Sequence, residues 1–177
     1  MKRVLFLIVL FIGCINYAFA TKNNDTSAKN ISIEQYFNLP IKNSKEYKGY
    51  IELGYNIGIG ELSIDRFEVQ TSHGIKLSPS FYIGAGVGID HYHEVDLTSI
   101  PVFLDIRANI LETFVSPNIG LKLGYSFNDI EGFYMSPSVG CKIGPCNFNI
   151  GYILQIAETD FGNMSIEGVS FKIGYSF

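Results

Sequence analysis

The sequence predicts an all-β protein, an eight-stranded antiparallel up-and-down transmembrane β-barrel. Apolar side chains recur at every second position almost without interruption from residue 50 to the C-terminus, which is the period of a β-strand. The alternating segments number eight, and each is about ten residues long, the length that a tilted strand needs to cross a bilayer. The connections between them alternate between short and long. Together these three observations indicate a membrane barrel.

The predicted strands share one pattern of side chains. In the first, Ile51, Leu53 and Tyr55 alternate with Glu52 and Gly54. Each later strand likewise places Ile, Leu, Val or aromatic residues at one parity and small, polar or charged residues at the other. The predicted strands span residues 50–59, 66–76, 81–90, 102–110, 115–127, 133–143, 147–156 and 168–177.

The connections predict the two ends of the barrel. The short connections are residues 77–79, 111–113 and 144–145. The long, polar connections are residues 60–65, 91–99, 128–132 and 158–167. Outer-membrane barrels have tight periplasmic turns and longer external loops, so this alternation favours the same topology here.

The composition of the two strand faces predicts which face points outward. One face is crowded with Ile, Leu, Val and aromatic residues, and the other consists mostly of Gly, Ser and Asn with a few charges. A narrow eight-stranded lumen suits small residues and a few paired charges. We therefore expect the apolar face to contact lipid. A soluble ligand-binding barrel is the alternative, and it would require Ile83, Leu121 and Phe171 to point inward.

The N-terminal region has the pattern of a secretory signal peptide. Residues 1–3 (Met-Lys-Arg) are positively charged, residues 4–12 form an apolar run, and residues 18–20 (Ala-Phe-Ala) supply a small-x-small cleavage site. The run is too short for a spanning helix, which needs about 20 apolar residues. Lipoprotein processing at Gly13-Cys14 is an alternative. The predicted division is a signal peptide at 1–20, a polar N-terminal leader at 21–48 and a barrel domain at 49–177.

The charge balance argues against nucleic acid as a partner. Removal of Lys2 and Arg3 with the signal peptide reduces the 13 basic residues to 11, against 17 acidic residues, which gives a net charge near −6. Binding to a nucleic-acid backbone requires clustered Lys and Arg.

Charged residues on the polar face predict a structural network inside the lumen. Charges enclosed by low-dielectric walls are costly unless they are paired. Glu52 and Lys172 are expected to pair, because the first and last strands must meet to close the barrel. A selective pore is the alternative, although eight strands leave little more than side-chain space. The predicted network contains Glu52, Arg66, Glu68, Asp105, Arg107, Lys122, Lys142 and Lys172, with Lys76 and Asp90 at the same parity.

The sequence offers few candidates for catalysis or metal binding. The glycines at 84, 86 and 88 lie at period two within a strand and lack the context of a phosphate-binding loop. His91 and His93, with the acids that follow them, could hold a metal ion. A His near Ser99 could instead hydrolyse acyl esters at the membrane surface, as a lipid-modifying barrel enzyme does. Solvated loops of this composition are more common, so we expect no catalytic residues, no metal and no cofactor.

Two cysteines flank the predicted turn at residues 144–145. Cys141 and Cys146 have the same parity, and a signal peptide implies an oxidising compartment. A cross-hairpin disulfide can form if the turn has four residues, which would place the two cysteines directly opposite each other, whereas a two-residue turn pairs them differently.

Several stretches resemble the small outer-membrane β-barrel proteins common in Bacteroides-type bacteria. They are residues 81–90 (FYIGAGVGID), 100–107 (IPVFLDIR), 116–125 (SPNIGLKLGY), 132–140 (GFYMSPSVG) and the terminal KIGYSF. The resemblance covers about residues 49–177. It implies an outer-membrane location and an eight-stranded barrel of the OmpA and OmpX type, and it carries over no catalytic residues.

The terminal aromatic residues complete the functional expectation. Tyr175 and Phe177 end a strand of alternating apolar residues, which resembles the signal by which the outer-membrane assembly machinery recognises its clients. The expected partners are therefore outer-membrane lipid, lipopolysaccharide and that machinery. We expect a non-enzymatic protein with a filled lumen that acts in envelope structure or through its external loops. The alternatives are the lipid-modifying enzyme described above and a narrow small-solute channel.

Overall fold

The computed structural model describes residues 46–60, 63–111, 113–159 and 162–177. The signal peptide and most of the leader lie outside these ranges. Every regular element in them is a β-strand, and none of them contains a helix long and apolar enough to cross a membrane. The strands are β1 (Glu46–Ile59), β2 (Arg66–Ser78), β3 (Phe81–Tyr92), β4 (Leu97–Asn109), β5 (Val115–Asn128), β6 (Gly132–Ile143), β7 (Cys146–Thr159) and β8 (Gly162–Ser176).

The eight strands form a closed antiparallel barrel. Each strand pairs with the next along the chain, and β1 pairs with β8 to close the sheet. The seam continues to the last residue, because the amide of Gly49 donates to the Phe177 carbonyl at 2.8 Å and the amide of Phe177 donates back at 3.0 Å. The predicted fold class is confirmed.

The barrel has two distinct ends. The start of β1, the end of β8 and the connections 79–80, 110–111, 113–114 and 144–145 lie at one end, called the terminus end below. The end of β1, the start of β2, the connections 93–96 and 129–131, the end of β7 and the start of β8 lie at the other, called the loop end.

Side-chain burial shows which face of the sheet points inward. Glu68 is completely buried in the lumen, whereas Ile119 and Ile173 are 51% and 61% exposed on the outer wall. Ile83, Leu121 and Phe171 have the same outward parity as the exposed apolar residues of their strands. The alternative of a soluble barrel with an apolar interior is therefore wrong.

The strands are longer than the sequence pattern predicts. β1 begins at Glu46, so three residues assigned to the leader belong to the barrel. The predicted long connections 91–99 and 158–167 are mostly strand, and Thr159 still pairs with Gly162. Ladder hydrogen bonds join backbone groups and do not require apolar side chains. As a result, the predicted alternation of short and long connections is absent.

Candidate functional site

Eight buried charges in the lumen form two neighbouring clusters. The lower cluster, on the side of the terminus end, comprises Glu52, Asp105, Arg107 and Lys122. The upper cluster, on the side of the loop end, comprises Arg66, Glu68, Asp90 and Lys172. Each cluster has two acids and two bases, so each is formally neutral. The attraction between opposite charges and the hydrogen bonds between them offset the desolvation cost of burying these ionic groups.

Glu52 is the centre of the lower cluster. Arg107 donates to both of its carboxylate oxygens, from Nη1 at 3.0 Å and from Nη2 at 2.8 Å. Lys122 Nζ donates to Glu52 Oε2 at 2.5 Å, and Asn149 donates to Oε1 at 3.1 Å. Arg107 also donates to Asp105 Oδ2 at 2.6 Å. The two-pronged contact between a guanidinium and a carboxylate fixes geometry as well as charge.

Glu68 has the corresponding place in the upper cluster. It accepts from Arg66 Nε at 3.1 Å and lies 3.1 Å from Lys172 Nζ. Arg66 also faces Asp90 at 3.6 Å and donates to Gln155 Oε1 at 2.9 Å.

The side chain of Gln70 joins the two clusters. Its Oε1 atom accepts from Lys122 Nζ at 2.6 Å and from Lys172 Nζ at 3.4 Å. Its amide nitrogen donates to the Tyr134 hydroxyl at 3.0 Å. The clusters are therefore parts of one hydrogen-bonded network that fills the middle of the lumen.

An apolar cluster closes the lumen above this network, at the loop end. The cluster contains Tyr92, Ile130, Ala157 and Ile166, with Ile64, Leu97 and Met164 packed against it. Ile64 and Ile130 belong to connections, so two loops fold their apolar side chains into the barrel mouth. Below it, a cavity of about 10 Å³, lined partly by Glu52, Arg107 and Lys122, has room for about one water molecule.

The structure places seven of the eight predicted network residues in the two clusters. The exception is Lys142, which lies at the terminus end and forms no ion pair with a described residue. The expected pair between Glu52 and Lys172 is not formed. Glu52 is level with Gly174 across the seam and Lys172 with Gly54, so Lys172 reaches Glu68 instead.

The structure does not bring His91, His93 and Ser99 together. His91 is on the outer wall, with Nδ1 3.3 Å from Thr98 Oγ1. His93 stacks on Tyr55 with a ring separation of 6.1 Å. Ser99 is buried in the lumen and is hydrogen-bonded to Ser126. His91 and Ser99 thus lie on opposite faces of the wall. In the described part of the chain no group of three His, Cys, Asp or Glu is close enough to share a metal ion.

The structure contains no disulfide between Cys141 and Cys146, which the sequence left open. Cys141 is buried and Cys146 is exposed. The turn has two residues, so Cys146 pairs with Ile143 while Cys141 pairs with Phe148. The two cysteines are therefore diagonal neighbours and do not face each other directly.

Tyr175 and Phe177 lie on the outer wall at the terminus end, as their parity predicts. The Phe177 ring covers Gly49, where an added Cβ would lie 2.5 Å from ring carbons. Its edge also meets His73, with ring centroids 6.0 Å apart. The role of these two residues as an assembly signal stays a prediction.

Comparisons with known proteins agree with this architecture. No family model matches the chain, and no curated protein matches it either. Among solved structures, the chain is similar to the outer membrane enzyme PagL, with 11% identity, a TM-score of 0.57 and coverage of 71% of this chain and 98% of that chain. It is also similar to Neisserial surface protein A (NspA), with 11% identity, a TM-score of 0.55 and coverage of 73% and 95%. At this identity the likeness establishes the fold alone: this chain folds as a closed eight-stranded barrel of the kind found in small outer-membrane proteins.

Proposed function

We propose that this chain is a non-enzymatic protein of the outer membrane, with a filled lumen, that acts in envelope structure or through the surface of its loop end. The observation that supports the proposal is the distribution of polar and apolar side chains, which is the reverse of that in a soluble protein. Paired charges fill the interior, and large apolar side chains cover the outside. Lipid is the solvent that such an exterior fits.

The exposed apolar surface is too extensive for a soluble monomer. Soluble monomers rarely expose a contiguous apolar patch of more than a few hundred Å². Here every strand contributes exposed apolar or aromatic residues to the outer wall, as Leu53, Val69, Leu104 and Phe148 illustrate on four of the strands. A removed signal peptide at residues 1–20, predicted from the sequence, would give such a barrel access to the cell envelope.

The filled lumen supports a structural role over a channel. The ion network occupies the middle of the barrel, and the apolar cluster of Tyr92, Ile130, Ala157 and Ile166 occupies the loop end. A solute would have to displace both. Lipopolysaccharide and outer-membrane lipid are the proposed surroundings, and the assembly machinery is the proposed partner during biogenesis.

The loop end has the electrostatic character for surface contacts. The described residues of the connections at this end, 60, 63–65, 93–96 and 129–131, contain five Asp and Glu and no Lys or Arg. Such a surface favours cationic partners and disfavours anionic ones.

The proposal is tested by fractionation of cells that produce the full chain, followed by conductance measurement. We expect the protein in the outer-membrane fraction, with a band that changes mobility on a gel after boiling. In planar bilayers we expect no steady conductance. Recovery of the protein only from the soluble periplasmic fraction would refute the membrane location, and stable open channels would refute the filled lumen.

A further inference from the structure

The Lys and Arg residues of the barrel lie in two regions, the lumen clusters and the terminus end. Residues 46–177 contain seven of them. Four belong to the lumen clusters described above. The other three, Lys48, Lys76 and Lys142, all lie at the terminus end. In a chain whose formal net charge is −4, this is a local excess of positive charge.

The three lysines surround one opening. They belong to β1, β2 and β6, and each has the inward parity of its strand. β1 and β2 are neighbours, and β6 lies across the barrel from them. In the strand register, Lys76 is the partner of Glu46, Lys48 is the partner of Gly74, and Lys142 is the partner of Asn147. Lys48, Lys76 and Lys142 are called the cationic mouth below.

The ammonium groups of the cationic mouth influence one another electrostatically. The positive charges of Lys142 and Lys76 act on Lys48, and that of Lys76 acts on Lys142. All three side chains are partly buried. Interactions between charges strengthen as the charges are withdrawn from water, so an anion at this opening would be attracted by all three lysines.

Little negative charge from the described residues compensates the cationic mouth. Its ion pair is between Lys76 and Glu46, at 3.9 Å, and the Glu46 side chain is 70% exposed. By contrast, Lys122 lies 2.5 Å from Glu52 in the lumen, where both side chains are buried. Among the described side chains, Lys76 has this one ion pair, and neither Lys48 nor Lys142 has a carboxylate partner.

We infer that the cationic mouth is a binding site for a small anion that carries a phosphate group. A phosphate monoester at neutral pH has close to two negative charges, and the phosphodiester of a phospholipid headgroup has one, so either anion would offset positive charge of the two lysines that lack a carboxylate partner. Its several acceptor oxygens can receive hydrogen bonds from more than one ammonium group. Because the lysines face the barrel axis, the anion enters along the axis at the terminus end. A phospholipid headgroup and a soluble phosphate compound share this chemistry.

The inference is tested on the full folded barrel, without residues 1–20, in neutral detergent micelles. Inorganic pyrophosphate is titrated at constant ionic strength, and NMR shifts of backbone amides are followed. We expect saturable shifts at the three lysines and their neighbours and none at Gln155, which is buried near the loop end. Shifts that do not saturate, or that chloride reproduces equally, would overturn the inference.

A matched pair of variants separates a site from general charge. Lys142→Gln and Val95→Asp each lower the net charge by one, but Val95 lies in an exposed turn at the loop end. We expect pyrophosphate affinity to fall at least fivefold in Lys142→Gln and to stay within twofold in Val95→Asp. Equal losses in both variants would refute a local site. Gel mobility before and after boiling checks that each variant is folded.

Nanodiscs distinguish the two sources of phosphate. If a headgroup occupies the cationic mouth, phosphatidylglycerol nanodiscs alone will shift the lysine signals and will block pyrophosphate. If a soluble compound is the ligand, pyrophosphate will bind equally in phosphatidylglycerol and phosphatidylcholine nanodiscs. The absence of any shift at the lysines in both arms would refute the inference, and it would leave the membrane location, which fractionation tests, unaffected.

Discussion

Replacement of Glu52 by Gln is expected to destabilise the barrel by about 3 kcal/mol. Breaking one side of a buried ion pair costs about 3–5 kcal/mol because a charge is left without its partner. The lower part of this range applies because both cations keep another contact. Arg107 retains Asp105 at 2.6 Å, and Lys122 retains Gln70 at 2.6 Å.

A second substitution tests whether charge balance causes the loss. In Glu52→Gln the lower cluster has one surplus positive charge, and in Glu52→Gln/Lys122→Met that surplus is removed. We therefore expect the double variant to be more stable than Glu52→Gln and to lie within about 1–2 kcal/mol of the wild type. Lys142→Gln, outside both clusters, should change stability by less than about 0.5 kcal/mol.

The assay is urea unfolding in lipid vesicles, followed by far-UV circular dichroism and by the fraction of protein with the folded gel mobility. All four proteins are measured at the same pH and salt concentration. Equal stability of Glu52→Gln and Lys142→Gln would refute a coupled lumen network. A double variant less stable than Glu52→Gln would show that side-chain packing, and not charge balance, determines the stability of the lower cluster.

Three further predictions follow from the wall and the seam. Leu104→Lys on the lipid face should cost about 2–4 kcal/mol in vesicles, and an unchanged urea midpoint would contradict the outward assignment. Gly49→Val should lower the yield of assembled barrel, because its added side chain meets the Phe177 ring and overpacking costs about 1–3 kcal/mol; a normal yield would show that the ring moves aside freely. In folded protein without residues 1–20, a maleimide should label Cys146 quickly and Cys141 slowly, and equal rates would contradict the burial of Cys141.

The sequence predicts the strands well because their signal is local. Alternation within ten residues is enough to assign Ile51 outward and Glu52 inward. The same parity brings Arg107 and Lys122 into the lumen. Pairing along the sheet follows from the chain order of an up-and-down barrel.

Contacts across the lumen could not be predicted in the same way. Glu52 meets Arg107, which is 55 residues away on a strand that is not its neighbour. That contact depends on strand tilt and stagger, and these are properties of the closed barrel that no single segment encodes. The same limit explains why Glu52 does not pair with Lys172 as expected. Their strands are neighbours, but the register does not place the two residues at the same height along the barrel axis.

The sequence also does not predict the apolar cluster that closes the loop end. Tyr92 and Ile166 are apolar exceptions at inward parity, and this is the signal that could have indicated an apolar cluster. Ile130 comes from a connection, where parity has no meaning. The polar composition near residues 91–99 and 158–167 predicted loops, but backbone pairing continues there.

The orientation of the wall is tested most directly by single tryptophans, because the chain contains none. Phe103 and Leu104 are consecutive in β4 and point to opposite faces, the first 2% and the second 43% exposed. Each is replaced by Trp in folded protein in vesicles that contain brominated phospholipid. Strong quenching of Trp at position 104 and weak quenching at position 103 are the predicted result. Equal quenching, or stronger quenching at position 103, would contradict a barrel whose apolar wall faces lipid.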